Sequence, residues 1–120
     1  MGKIVELQPP TTVSGTPASA PVTYYQETDG SIDTSRYNSG VLLIRVQDAL
    51  NCTVYVEGSD DGGQNFTEIY GLSTRGDRTY YLNRLEPFGA ANRLYKILRW
   101  RIVATTTDWT ATFRVVIVLK

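Results

Sequence analysis

Apolar and polar residues alternate with a period of two along most of the chain after residue 22. In the stretch 41–47, Leu42, Ile44 and Val46 fall on one side and alternate with Leu43 and Arg45 on the other. Such alternation is the pattern of a half-buried β-strand. Similar stretches cover residues 22–26, 52–57, 66–70, 78–82, 96–104 and 109–119. Because no window shows a helical period, the pattern predicts an all-β, antiparallel β-sandwich.

The most specific local pattern joins two of these predicted strands. Ser59, Asp61, Gly63 and Phe66 match the spacing Ser-x-Asp-x-Gly-x-x-aromatic of an Asp-box hairpin. Ser and Asp side chains bond local backbone N–H groups in such turns, and Gly allows a positive φ. A Ca²⁺ site that uses Asp60 and Asp61 is the alternative, but the loop offers too few further oxygen ligands. We therefore predict a structural turn.

Residues 1–22 differ in composition from the rest of the chain, because they hold four of its five prolines. Proline lacks the N–H that a helix or a central strand needs. The sequence therefore predicts an extended N-terminal arm, residues 1–22, before a single sandwich domain, residues 23–120. Ile4, Val5 and Leu7 form an apolar hook that suits docking onto a neighbouring subunit, and a disordered tail is the alternative.

The last predicted strand carries apolar residues on both faces. Val116 and Val118 occupy the face that would normally contact water, and antiparallel strands with one solvated face usually alternate cleanly. We therefore expect the arm, a loop or another subunit to cover this face.

Charge and composition narrow the possible functions. Twelve basic residues balance twelve acidic ones, which argues against binding to nucleic acid or to an anionic membrane. The single cysteine, Cys52, and the absence of histidine exclude an internal disulfide, a Ser–His or Cys–His pair and His-ligated metals. We expect a protein that is not an enzyme, that needs no cofactor or metal, and that is made in a host cytoplasm, since no signal peptide is evident.

A wider resemblance rests on two segments. Residues 54–69 read Val-Tyr-Val-Glu-Gly-Ser-x-Asp-Gly-x-x-x-Phe-x-x-Ile, and residues 98–102 read Leu-Arg-Trp-Arg-Ile. Together with the closing Val/Ile-rich strand, they resemble a discoidin-type (galactose-binding-like) jelly roll over about residues 40–119. Small proteins of this layout occur among tailed-phage virion genes, so the resemblance implies a jelly-roll-like sandwich and a place in the virion.

These observations lead to the hypothesis of a virion structural protein, a phage capsid decoration (cement) subunit that forms homo-oligomers or binds capsid or other virion proteins. A tail or neck accessory subunit is an alternative, and so is a carbohydrate-binding module, since exposed tyrosines stack on sugars. The residues expected to bind the partner are those of the hook and of the outer sheet face, namely Ile4, Val5, Leu7, Tyr25, Arg45, Arg99, Arg101, Val116 and Val118.

Overall fold

The computed structural model describes residues 3–16, 22–26, 31–104 and 108–120. Within these residues the chain forms two antiparallel sheets. The strands are β1 (Lys3–Gly15), β2 (Val22–Tyr25), β3 (Ile32–Asp33), β4 (Ser39–Leu50), β5 (Cys52–Ser59), β6 (Thr67–Leu72), β7 (Gly76–Asn83), β8 (Ile97–Ala104) and β9 (Trp109–Leu119). Sheet A has the strand order β1-β9-β4-β7. Sheet B has the order β2-β8-β5-β6, and β3 also pairs with β8.

The pairing follows a single rolled hairpin. β1 pairs with β9, β2 and β3 pair with β8, β4 pairs with β7, and β5 pairs with β6 at the tip. Rolling this hairpin brings β4 beside β9 and β5 beside β8. Pairing of the first strand with the last and so on inward is the connectivity of a double-sheet jelly roll. The predicted all-β, jelly-roll-like sandwich is therefore confirmed.

The core lies between the sheets and follows the alternation seen in the sequence. In β8, Leu98, Trp100 and Ile102 are buried, whereas Arg99 and Arg101 on the other face are partly exposed. The largest fully buried side chains are Phe113, Leu42, Ile44, Leu82, Leu94, Leu98, Ile102, Ile117, Leu119, Val46, Val54 and Val56. Trp100 belongs to the core, and its ring meets that of Phe113 edge-on at 5.0 Å between centroids.

Within the described residues, the prediction of an arm that lies outside the sandwich is wrong. Lys3–Gly15 is extended, but it is the edge strand of sheet A, in register with β9 from Lys3↔Leu119 to Gly15↔Trp109. Leu7 is 3% exposed and belongs to the core. Of the four prolines that suggested an arm, Pro9 and Pro10 lie at a register shift of β1, and an edge strand tolerates prolines at such irregularities. The other two, Pro17 and Pro21, lie outside the described residues.

Side-chain hydrogen bonds also tie β1 to sheet B. The amide of Gln26 donates from Nε2 to the carbonyl oxygen of Leu7 at 2.9 Å, and its Oε1 accepts the backbone N–H of Trp100 at 3.0 Å. The indole N–H of Trp100 donates to Oε1 of Gln8 at 2.9 Å. These buried polar groups are satisfied by each other, so β1 closes one side of the sandwich.

Candidate interaction surfaces

The outer face of sheet A carries an apolar patch at one end. Strand registers place Ile4, Val118, Val41 and Tyr81 in one cross-strand row. The next row contains Val116 and Leu43 between Glu6 and Thr79. Ile4, Leu43 and Tyr81 are 71%, 40% and 74% exposed. We call the six apolar residues of these two rows the sheet A patch: Ile4, Val41, Leu43, Tyr81, Val116 and Val118.

The exposed fraction of Val116 shows how much of the patch other residues of the chain cover. Val116 faces outward and yet is only 8% exposed, because β1 and β4 place Glu6 and Leu43 on its two sides. β1 therefore lies beside β9 in the same sheet and does not cover its outer face, as the arm was expected to do. The exposed members of the sheet A patch keep their apolar surface in water.

A charged band borders the patch. Arg114 on β9 lies directly opposite Arg45 on β4, and Arg45 lies opposite Asp77 on β7. Arg45 pairs with Asp77 at 3.1 Å, and Arg114 pairs with Glu6 at 2.6 Å. The face therefore combines an apolar end with a band of opposite charges.

The outer face of sheet B is built around a buried carboxylate. Glu57 is 4% exposed and receives Arg99 at 2.6 Å and Arg101 at 2.5 Å. The guanidinium of Arg99 also lies 3.5 Å from the ring centroid of Phe66 and 4.5 Å from that of Tyr25. Ion pairing and cation–π stacking within the chain hold both arginines. The guanidinium groups of this face are therefore already engaged by neighbouring side chains.

The structure divides the predicted partner-binding residues between opposite faces of the sandwich. Arg45, Val116, Val118 and Ile4 lie on the outer face of sheet A, and Tyr25, Arg99 and Arg101 lie on that of sheet B. One flat partner surface cannot contact both groups. Leu7 is buried and Val5 packs against the core, so the hook contributes only Ile4 to the surface. The assignment of Leu7 to a partner contact is therefore wrong for the folded chain.

The sequence reasoning missed two features of these surfaces. It did not assign Tyr81 to the inner or the outer face of its strand. Because Tyr81 alternates with the buried Leu82, it could have been placed on the outer face. The sequence reasoning also did not name Arg114, although the residue lies in phase with Val116. Its opposition to Arg45 depends on long-range strand pairing, which alternation within one strand does not give.

The connection between β7 and β8 is held by two arginines. Arg84 donates to backbone carbonyls of Tyr37, Thr34 and Leu94, and burial lowers its pKa from the usual value. Arg93 pairs with Asp60 at 2.8 Å and donates to the carbonyls of residues 84 and 86. The exposed apolar side chains Leu85 and Phe88 are therefore presented by an ordered loop, not by a loose one.

The turn between β5 and β6 has the local bonds expected of its sequence. The Ser59 hydroxyl accepts the N–H of Gly63 at 3.0 Å, and Asp61 accepts the N–H groups of Gln64 and Asn65 at 3.1 and 2.9 Å. Hydrogen bonds from Ser59 and Asn65 lower the pKa of Asp61 to about 2. These bonds engage Asp61 in the turn itself.

The described residues contain no metal-ligand cluster and no membrane-spanning helix. Across residues 3–16, 22–26, 31–104 and 108–120, no three His, Cys, Asp or Glu residues lie together as metal ligands would. Over the same ranges no helix has the length and hydropathy needed to cross a membrane. Burial raises the pKa of the Cys52 thiol, which makes it a poor nucleophile at neutral pH.

Comparison with known proteins gives a likeness of fold alone. No protein-family model matches the sequence, and no curated protein matches it. Solved structures of infectious bursal disease virus do match: the Gx strain, the VP2 subviral particle and the T=1 particles, each with a TM-score of 0.50 and with identities of 13%, 15% and 14%. Each match covers 98% of this chain.

The chain spans about a third of the length of the matched viral chains, 32%, 32% and 31%. These three structures are viral particles and are not discoidin-type domains, so they support the jelly-roll part of the resemblance and not its discoidin part. The chain thus shares an all-β, jelly-roll-like fold with part of the chain that builds these viral particles.

Proposed function

We propose that this chain is a structural subunit of a virion, and more specifically a phage capsid decoration subunit, that docks on neighbouring subunits through the outer face of sheet A. The observation that carries the proposal is the sheet A patch, in which Ile4 and Tyr81 are more than two-thirds exposed. Contiguous exposed apolar surface on a soluble domain commonly marks a contact with another protein. The shared fold with viral particle chains supports a role in assembly.

The patch has the composition of an interface centre. Aromatic residues are enriched and charged residues are depleted in the buried core of protein interfaces, and here Tyr81 and five aliphatic neighbours border a charged band. Burying one large apolar side chain contributes roughly 1.5–3 kcal/mol. A few such contacts per copy give modest affinity, which repetition over a lattice raises through avidity. Contacts with capsid subunits or with further copies of this chain use the same surface.

Substitutions on the outer faces of the two sheets test the docking surface. Val118 on β9 and Val103 on β8 are both partly exposed valines on the outer faces of interior strands, one in each sheet. Val118→Asp should reduce co-sedimentation with purified particles of the encoding virus at least about tenfold, because it places a charge within an apolar contact. Val103→Asp is the matched control and should bind as the original protein does. Equal binding by both variants, or loss only with Val103→Asp, would overturn the proposal.

A carbohydrate-binding module is the second candidate, and the exposed ring of Tyr81 is the observation that favours it. Tyr81→Leu separates the two functions, because leucine keeps an apolar contact but offers no aromatic face for a sugar. Capsid docking predicts that Tyr81→Leu retains most particle binding and that a glycan array gives no saturable signal. Sugar-competed binding that Tyr81→Leu abolishes would favour the carbohydrate module instead.

A tail or neck accessory subunit would use the same docking surface. Immunogold labelling of intact particles distinguishes the locations, because a decoration subunit should label the whole capsid shell. Label confined to the tail or neck would replace the decoration role and leave the docking face in place.

A further inference from the structure

The charged band of sheet A contains two arginines in an arrangement that a lone domain does not favour. Arg45 and Arg114 are directly opposite each other on β4 and β9. Like charges at directly opposed positions destabilise a sheet. Each guanidinium turns away to a carboxylate on an edge strand, Arg45 to Asp77 and Arg114 to Glu6. Two cations therefore flank a groove, with their anions on its outer sides.

Within the described residues, the side-chain hydrogen bonds of this pair use one nitrogen of each guanidinium. Arg45 bonds Asp77 through Nε, and Arg114 bonds Glu6 through Nη2. Nε of Arg114 is buried and has no hydrogen-bond partner in the described part of the chain. The register of β1 explains why Nε has no partner. Gln8 pairs with Val115 and Thr11 pairs with Phe113, so Pro9 and Pro10 fall beside Arg114. The acceptor of Arg114 is therefore the diagonal Glu6. A buried N–H without a partner costs free energy, so the Arg114 side chain is incompletely satisfied in the lone chain.

The floor of the groove is apolar. Leu43, Ile44 and Val116 form it, and Leu43 and Val116 also belong to the sheet A patch. The polar lining residues are Thr79, Arg45, Arg78, Arg114 and Asp77. A ligand that fits must place an anionic group between the arginines and an apolar group beside it.

We propose that Arg45 and Arg114 bind a carboxylate side chain of a neighbouring virion subunit, whose adjoining apolar side chain rests on Leu43 and Val116. This inference rests on the proposed function and names the partner chemistry of that surface. Arginine binds a carboxylate through parallel, charge-assisted hydrogen bonds, and the donors are the Nη groups of Arg45 and Arg114, whose side chains are 68% and 43% exposed. Arg45, Arg78 and Arg114 outnumber Asp77 around the groove, which favours an anionic group, and the apolar floor beside them favours an anion that adjoins an apolar side chain.

The test uses the full chain labelled with ¹⁵N and follows the Nε–Hε signal of Arg114 by NMR. The probe is a pentapeptide of alternating Val and Glu, blocked at both ends, and its control has Gln in place of Glu. The Glu peptide should shift the Arg114 signal saturably, with the Gln peptide at least about tenfold weaker. Arg45→Lys should weaken the response, because lysine cannot bind bidentately, whereas Arg36→Lys, at an exposed site outside this groove, should leave it unchanged.

Three results would overturn the proposal: an unmoved Arg114 signal, an equal response to both peptides, or the same saturable shift with inorganic phosphate at matched ionic strength. Particle co-sedimentation then separates this inference from the proposed function. If Arg114→Lys binds particles normally while Val118→Asp does not, docking stands and the carboxylate site is wrong. If the peptide response holds while Val118→Asp still binds particles normally, the carboxylate site stands and the docking function fails.

Discussion

Leu7 decides whether residues 3–15 belong to the sandwich or form an independent arm. Its side chain is 3% exposed within the core, and its carbonyl accepts a hydrogen bond from Gln26. Truncation of a buried leucine to alanine costs about 2–5 kcal/mol, depending on how well the site collapses. Because β1 is an edge strand that can settle toward the core, we expect Leu7→Ala to lower the free energy of unfolding by about 2–3 kcal/mol.

Urea unfolding at pH 7, followed by tryptophan fluorescence, measures this loss. Ile4→Ala is the matched control, since Ile4 lies on the same strand and is 71% exposed. We expect the control to stay within about 0.5 kcal/mol of the original protein. In a thermal scan, Leu7→Ala should lower Tm by roughly 10 °C. A Leu7→Ala variant as stable as Ile4→Ala would refute the assignment of β1 to the core.

Four further predictions concern stability and reactivity. Glu57→Ala should destabilise the fold by about 2–3 kcal/mol, because it leaves two arginines without their carboxylate. Glu68→Ala removes one exposed ion pair and should cost below about 1 kcal/mol in the same urea assay, and equal losses would contradict this difference. The pKa of Asp61 is about 2 in the folded chain against 3.8 ordinarily, so its stabilisation is complete above about pH 4 and is lost toward pH 2; Asp61→Asn should flatten the fall of the urea midpoint over that window, and an unchanged slope would speak against the turn bonds. Cys52 should resist iodoacetamide until the chain unfolds, and rapid alkylation of the native protein, read by mass spectrometry, would show that it is not buried. Gly58→Ala should cost about 1–3 kcal/mol of unfolding free energy through overpacking, since a Cβ there would lie 2.6 Å from Cβ of Tyr95; a neutral result would mean that the ring moves aside.

The sequence predicts much of the fold, because one face of most strands is buried. Alternation in 41–47 and 96–104 places Leu42 and Trp100 inward, as the structure has them. Alternation fails where the register shifts. In β1 the prolines interrupt the period. The buried Leu7 lies within the first of two register shifts, and Val13 lies after the second. Composition therefore predicted an arm where edge pairing forms a strand.

The candidate surface was harder to predict than the fold. Outward positions can be read within a strand, but the partners of a strand cannot. Val118 and Arg99 both alternate outward, and only sheet topology shows that they lie on opposite sides of the sandwich. Arg99 and Arg101 are held by ion pairs with Glu57 of β5, and Glu57 is distant from them in sequence. Long-range pairing therefore decided which predicted residues remain candidates for a partner.

The most direct test of the account compares two tyrosines on opposite faces in intact particles. Tyr81 on sheet A and Tyr25 on sheet B are 74% and 50% exposed in the isolated chain. Hydroxyl-radical footprinting, read by mass spectrometry, measures how fast each ring is oxidised before and after incorporation into purified virions. Docking through the sheet A patch predicts that oxidation of Tyr81 slows at least about fivefold, whereas Tyr25 is oxidised as in the free protein. Protection of Tyr25 with an unchanged Tyr81 would contradict the account.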